Sequence, residues 1–561
     1  MTLVNGIERV TSLLPSRKDY RWIRRTWRGD LLAGVTVGIV ALPLALAFGV
    51  SSGAGAASGL VTAIVAGLVA AVFGGSNIQV SGPTGAMVVV LGPIVVSHGV
   101  GVVALVSVLA GIVVLVAGML RLGRVVSYIP WPVIEGFTLG IAIIIFLQQV
   151  PAAVGAKAGP STNSFLAALE SLRGIDWSTA WWSIGAVAVV AIIMTFGRFV
   201  HQQFPGSLVA IVVVAVIATV ADLPLARIGA LPSSLPSPLV PSIDWASAGS
   251  LIGPALTIAA LAAIESLLSA RVGSTLADTG PYDADRELVG QGLASMASGF
   301  FGGMPATGAI ARTAVNVRSG GRTRVAAIVH ALALLAVVYF ASTVVSQVPL
   351  AALSGVLMVT STRMISGATI RSVVGSGRSD AAVFIVTALI TVSFDLIVAV
   401  GIGIAFAAFF ALRTLSRSGG VHREELPGAA QPGDEHIALF RLDGALFFGA
   451  AERMLDRVGR ISNVYVVIIR MSQLQLLDST GARVITEMVH ALERRGITVL
   501  VKGIQPRHLR LAERVGVIDS LRHTNHLFDE LDAAVEHARS HVGRSLAAEE
   551  AALEAAEREA A

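Results

Sequence analysis

Of 561 residues, 54% are hydrophobic and only 14% charged, with a mean hydropathy of +0.76; a soluble globular chain is nearer a quarter charged. Residues 1–413 carry 38 charged side chains and residues 414–561 carry 39, so a lipid-embedded part is followed by a water-exposed part. These values exclude a secreted disulfide scaffold, a disordered chain and a soluble enzyme with one anchor; the absence of cysteine removes thiolate chemistry.

The chain is polar through Asp30 and shows no secretory signal. A crossing helix needs about 20 apolar residues. On that template, spans are predicted near 31–50, 55–73, 101–120, 132–150, 181–198 and 206–222. After a loop containing Pro232, Pro236, Pro238 and Pro241, further spans are predicted near 251–270, 325–346, 349–368, 380–394 and 396–412, with Asp395 as a turn residue. Three shorter, Gly-interrupted segments remain, 84–97, 288–301 and 307–317, and they raise the total to fourteen. Loops on the N-terminal side then hold 19 Lys or Arg, among them Arg17, Lys18, Arg121, Arg124, Arg318 and Arg322. The opposite loops hold three: Lys157, Arg173 and Arg227. The positive-inside rule predicts cytoplasmic termini in a cell inner membrane, and the net charge of +5 reads as membrane orientation, with no nucleic acid as partner.

The short segments repeat a motif. Phe73-Gly74-Gly75 precedes Pro83-Thr84-Gly85-Ala86, and Phe301-Gly302-Gly303 precedes Pro305-Ala306-Thr307-Gly308-Ala309. Seven crossings separate the copies, so they enter the membrane with opposite polarity, as an inverted repeat. Half-helices of this kind bring their N-termini together near the midplane, where free N–H groups and positive dipole ends attract an anion. Glu265 lies within an apolar span with Ser269 one turn further along the same face. A carboxylate there must be protonated part of the time, paired, or holding a cation. Arg312, about a turn into the second half-helix, supplies fixed positive charge. The eleven histidines show no ligand spacing that stands out, His523 with His526 being the nearest approach to one, and neither a metal nor a cofactor is assigned.

Residues 414–435 read as a polar linker. Beyond it, strands are predicted at Ile437 to Leu442, Val464 to Ile469 and Ile497 to Val501, with helices near 450–459, 480–494 and 506–515. This is a small α/β domain. Asp478-Ser479-Thr480-Gly481 sits where a helix N-cap belongs, and Ser479 is a candidate phosphorylation site. The Ala/Glu-rich end reads as a solvated helical or disordered tail.

Taken together, the fourteen segments in two inverted sevens, the motifs at Thr84 and Thr307, Asn316-Val317-Arg318-Ser319-Gly320 and the Asp-Ser-Thr-Gly stretch resemble the SulP sulfate-permease family, with its C-terminal STAS domain, over about residues 28–540. The resemblance implies an α-helical polytopic membrane protein with core and gate domains. Its parts are an N-terminal cytoplasmic segment (1–29), a transmembrane transport domain (30–413), the linker (414–435), a STAS domain (436–540) and an acidic tail (541–561). It implies a homodimeric, non-enzymatic, elevator-type carrier of a small inorganic anion. The substrate site would take in Phe48, Thr84, Gly85, Ala86, Thr307, Gly308, Ala309, Ala311 and Arg312, with Glu265 and Ser269 holding the coupling ion, H⁺ or Na⁺.

Within the family, Ala41 to Gly49 is similar to the bacterial bicarbonate branch. Many sulfate and chloride carriers have Gln where Leu44 stands. Sodium-coupled bicarbonate members carry Asp and Thr at the positions of Glu265 and Ser269, so the longer Glu favours H⁺. Bicarbonate is the expected substrate, with sulfate or a C4-dicarboxylate as alternatives. A membrane sensor signalling through the STAS domain is the alternative of a different class.

Overall fold

The structure is a computed structural model that describes residues 13–20, 23–124, 129–157, 159, 161, 163–200, 204–241, 245–393, 396–418, 420–446 and 463–560. Asp395 and the helix expected near 450–459 lie outside the described residues. The chain forms two compact units, Met1–Ala407 and Ala408–Ala561.

In the membrane unit, α1 (Ile23–Ser51), α2 (Ala56–Phe73), the half-length α3 (Gly85–His98), α4 (Val102–Met119), α5 (Trp131–Ala153), α7 (Trp177–Val200) and α8 (Gly206–Val220) form the first repeat. A short helix, α6 (Ser164–Arg173), lies between its fifth and sixth spans. The second repeat consists of α9 (Trp245–Leu276), α10 (Ala284–Phe300), the half-length α11 (Ile310–Arg318), α12 (Arg324–Val345), α13 (Leu350–Met364), α15 (Arg378–Ser393) and α16 (Leu396–Ser418). Another short helix, α14 (Gly367–Ser376), occupies the same place in this order as α6, between the fifth and sixth spans. The matching pair fits the inverted-repeat reading, and periodicity alone did not reveal either helix.

Packing sorts the spans into two groups. In one, α1 packs on α12, α4 on α10 and α9, and α2 on α10 and α12; in the other, α5 packs on α13 and α15, and α7 on α8 and α13. The first group is the core and the second the gate. Helix α10 is too polar to face lipid alone, since it carries Arg286, Glu287 and Gln291, all buried. It is covered on the α4 side, where a Cβ on Gly111 would come within 2.7 Å of the Gly292 carbonyl. Small residues permit that approach, as is usual between membrane helices.

The Gly-Gly motifs serve this packing. A Cβ on Gly75 would lie 1.9 Å from the Asp283 carbonyl, so the turn after α2 fits flush against the start of α10. Glu287 then accepts from the N–H groups of Gly75 (2.8 Å) and Ser76 (3.0 Å). In the other repeat, Thr62 accepts from the Met304 N–H at 2.8 Å and Ser298 donates to the Met304 carbonyl at 2.7 Å. Each half-helix approach is thus anchored by side chains of a neighbouring core span.

The soluble unit is a sheet in the order β3 (Gly420–Glu424), β4 (Ile437–Leu446), β5 (Val466–Arg470), β7 (Thr498–Lys502) and β8 (Leu527–Phe528). A further strand, β6 (Leu474–Leu477), also pairs with β4. Strand β3 is antiparallel to β4 and the other pairs are parallel. Strand β5 is apolar from Val466 to Ile469 because both its faces are covered there. On one face, α17 (Ser479–Arg494) sets Ile485, Met488 and Val489 against Val467, Val499 and Val501, joined by α18 (Pro506–Val515). On the other, α19 (Leu531–Ala560) sets Ala534, Val535, Ala538 and Val542 against Leu439, Val466 and Ile468. Asp478 caps α17, accepting from the Gly481 N–H at 2.7 Å. Ser479 is thereby left as its first helical residue, exposed.

Candidate functional site

The two half-helices meet across a minimal sheet. Strand β1 (Ser81–Gly82) pairs antiparallel with β2 (Thr307–Gly308), with Ser81 opposite Gly308 and Gly82 opposite Thr307. The Ala309 N–H extends the pairing by donating to the Val80 carbonyl at 2.9 Å. Helices α3 and α11 begin immediately afterwards, at Gly85 and Ile310.

Thr84 is the N-cap residue of α3, yet its side chain makes no capping bond. It donates instead to Glu265 Oε2 at 2.8 Å, and Thr307 donates to the same oxygen at 2.7 Å; the two hydroxyls are 3.3 Å apart. Thr84 and Thr307 are buried, whereas Glu265 is half-buried. The next residue on α9, Ser266, accepts from the Gly308 N–H at 3.0 Å. One turn of α9 therefore touches both repeats. Ser269 is buried and lies 3.2 Å from the Thr313 hydroxyl, which accepts from the Val80 N–H at 3.1 Å. It braces α11 and is not bonded to Glu265.

Arg312 is almost wholly buried and donates through Nη2 to the Pro83 carbonyl, the residue before Thr84. Its Nη1 has no hydrogen-bond partner among the described residues. The guanidinium thus reaches from the second repeat to the tip of the first half-helix, and its hydrogen bond goes to backbone instead of to Glu265. Ala311 is exposed while Arg312 and Thr313 are buried, so α11 turns one edge outward at its first turn.

Ala86 is buried in the first turn of α3, and Phe48 of α1 is buried beside it. A Cβ on Gly85 would meet Ile145 Cδ1 of α5 at 2.2 Å and Phe48 Cε1 at 3.5 Å, so glycine there sets how closely a gate helix approaches the core. Gly308 is more constrained, since its Cβ would fall 1.6 Å from Gln79 Nε2. Thr84, Thr307, Gly308, Ala309, Glu265 and Arg312 thus meet at one ladder, with Phe48, Gly85 and Ala86 beside it, Ser269 one layer behind and Ala311 on the outward edge of α11. Sequence reasoning missed Ser266, Thr313 and Gln79. The first two follow from helical spacing, next to Glu265 and Arg312, but nothing in the sequence distinguished them from packing serines and threonines.

Residues 27–387 match the Sulfate permease family and residues 429–534 match the STAS domain. The chain belongs to the sulfate permease family. It is accordingly a multi-pass membrane anion transporter of that family, carrying a C-terminal STAS domain. A putative sulfate transporter of Bacillus subtilis, YvdB, is 32% identical, over 90% of this chain and 96% of its own. The bicarbonate transporter BicA of Synechocystis sp. is 29% identical, over 92% and 94%. Among solved structures, the transmembrane domain of a cyanobacterium BicA is similar with a TM-score of 0.60 at 31% identity, covering 67% of this chain and 97% of that one. The structure of SLC26A9 shares the fold, with a TM-score of 0.79 at 18% identity over 96% and 95%.

Proposed function

We propose that the chain carries bicarbonate together with a proton. The observation behind this reading is the convergence of Thr84 and Thr307 on one oxygen of Glu265. A threonine hydroxyl has a single proton to donate, and both are engaged by the carboxylate. An anion seated between the half-helices needs those protons and is repelled by Glu265. Protonation of Glu265 removes the repulsion and releases the two hydroxyls. They then join the first backbone N–H groups of α3 and α11, which have no intrahelical acceptor, and the charge of Arg312. Proton and anion therefore load together, and the unloaded site is closed by its own carboxylate.

A monovalent anion suits a site with one fixed positive charge and an apolar wall of Phe48 and Ala86. Leu44, where many family members have an amide, and the named bicarbonate relatives point the same way. The similarity to a protein named as a sulfate transporter supports the second reading, sulfate. In the proposed mechanism the core slides against the gate in an elevator movement within a homodimer in the inner membrane. Both termini are cytoplasmic, in keeping with the 19-to-3 bias of basic residues. The STAS domain regulates, and Ser479 is its modification candidate, although phosphate there would sit beside the capping Asp478 carboxylate.

Counterflow in proteoliposomes with labelled bicarbonate, sulfate and a C4-dicarboxylate tests the substrate. Uptake driven by a pH gradient and by a sodium gradient, imposed separately, tests the coupling. Bicarbonate uptake driven by the pH gradient is expected. Sulfate counterflow without bicarbonate counterflow would replace the substrate assignment, and no uptake of any anion would favour the sensor.

A further inference from the structure

The soluble unit holds a group of imidazoles that transport does not use. His526 ends a short helical turn, Thr524–His526, that leads into β8, and its ring is buried. His537 and His541 stand one turn apart on α19, both half-buried. Their ring centroids lie 5.6, 5.4 and 4.9 Å apart, and one nitrogen from each ring lies within 4.8 Å of the other two. His537 Nε2 and His541 Nε2 are 3.3 Å apart.

We propose that His526, His537 and His541 bind one divalent first-row transition ion, Zn²⁺ fitting best, and that the ion clamps α19 to the β8 edge of the sheet.

Three arguments carry this. Zn–N bonds of about 2.0–2.1 Å in tetrahedral geometry place two ligand nitrogens roughly 3.3 Å apart, the spacing the α19 pair already has. An i, i+4 pair on a helix with a third imidazole from another element leaves one position for water, and an all-imidazole set selects Zn²⁺ and its neighbours over Mg²⁺ or Ca²⁺. Finally, a hydrogen bond between His537 and His541 accounts for two of the rings but leaves His526 Nδ1 buried without a partner among the described residues. The cations near the three rings are Arg522 and Arg544. Arg522 is compensated by Glu493 at 2.5 Å. The clamp has something to hold, because β8 has two residues and, among the described residues, pairs with β7 alone.

The test uses the full-length protein in detergent, purified on a tag without histidine and stripped with chelator. Titration with Co²⁺ should give one equivalent of tetrahedral visible absorption per chain, displaced by Zn²⁺. His537→Gln and His541→Gln, both at half-buried positions, should each weaken binding by ~100-fold or more, beyond the 10–100-fold typical of losing an outer-shell partner. His490→Gln, exposed on α17, should bind as wild type does. Zn²⁺ should also slow amide exchange in α19 of the wild type and leave the double variant His537→Gln/His541→Gln unchanged, with circular dichroism confirming that both are folded. Absence of stoichiometric Co²⁺ absorption in the wild type, or undiminished absorption in the folded double variant, overturns the proposal and leaves a packed histidine cluster.

Discussion

The two repeats bring half-helices of the same topology to one ladder but equip them differently. Between Asp30 and Arg121 the first repeat has no Asp, Glu, Lys or Arg, and it contributes Phe48, Thr84, Gly85 and Ala86. The second contributes Glu265, Ser266, Ser269, Thr307, Arg312 and Thr313. One repeat thus supplies shape and a single hydroxyl, and the other supplies charge and the network that positions it. Duplication fixes where two helix tips meet; later divergence can place all the titratable chemistry on one side without disturbing the ladder, because the ladder is backbone.

Four measurements test this contrast. The largest effect is expected from bulk at either tip. Thr84→Trp and Thr307→Trp should each abolish anion uptake in protein that remains monodisperse, since both hydroxyls share one carboxylate oxygen. Wild-type uptake in either variant would remove that residue from the site.

Next is Glu265→Gln. It should eliminate stimulation by an imposed pH gradient while labelled-anion counterflow persists, because an amide keeps the neutral shape and cannot release a proton. Stimulation by sodium alone, lost in this variant, would reassign the ion and keep the residue. Gradient-driven uptake that survives unchanged would exclude Glu265 from coupling.

Arg312→Gln should raise the apparent KM about tenfold or more, as hydrogen bonds to charged groups contribute ~1.5–3 kcal/mol. A lowered melting temperature with unchanged KM would instead make Arg312 a strut between Pro83 and α11. The smallest effect is expected of Ser269→Ala, which removes one hydroxyl contact worth ~1 kcal/mol. Thr313 keeps its bond to Val80, so a modest loss of thermal stability with unaltered ion dependence is expected. A change in sodium dependence would place Ser269 at the cation after all.

Hydropathy located the spans because lipid imposes one rule on every crossing helix, and the doubled Phe-Gly-Gly motif with its following Thr-Gly exposed the inverted repeat. The reason for Gly-Gly lay beyond reach: Gly75 yields to the Asp283 carbonyl, a contact more than 200 residues away. Similarly, Thr84 in an N-cap position is expected to cap, and only the tertiary approach of Glu265 redirects its hydroxyl. In the soluble unit the apolar strands and the Asp478 cap were legible. Strand β3 was not, because five residues of mixed polarity carry little pattern at a sheet edge. The spacing of His537 and His541 was visible in the chain, but it pointed to a ligand pair only once the fold brought His526 beside them.

The ladder between Ser81–Gly82 and Thr307–Gly308 has a mechanical consequence. Two backbone segments joined in register behave as a single stiff crosspiece, further fastened by Ser266 to Gly308 and by Arg312 to Pro83. A conformational cycle that pried the helix tips apart would break these links together, whereas one that carries the crosspiece whole breaks none. If the core travels in this way, the anion meets the same donors on both sides of the membrane. The intrinsic dissociation constants at the two faces are then nearly equal, so the carrier half-saturates at similar anion concentrations from either side.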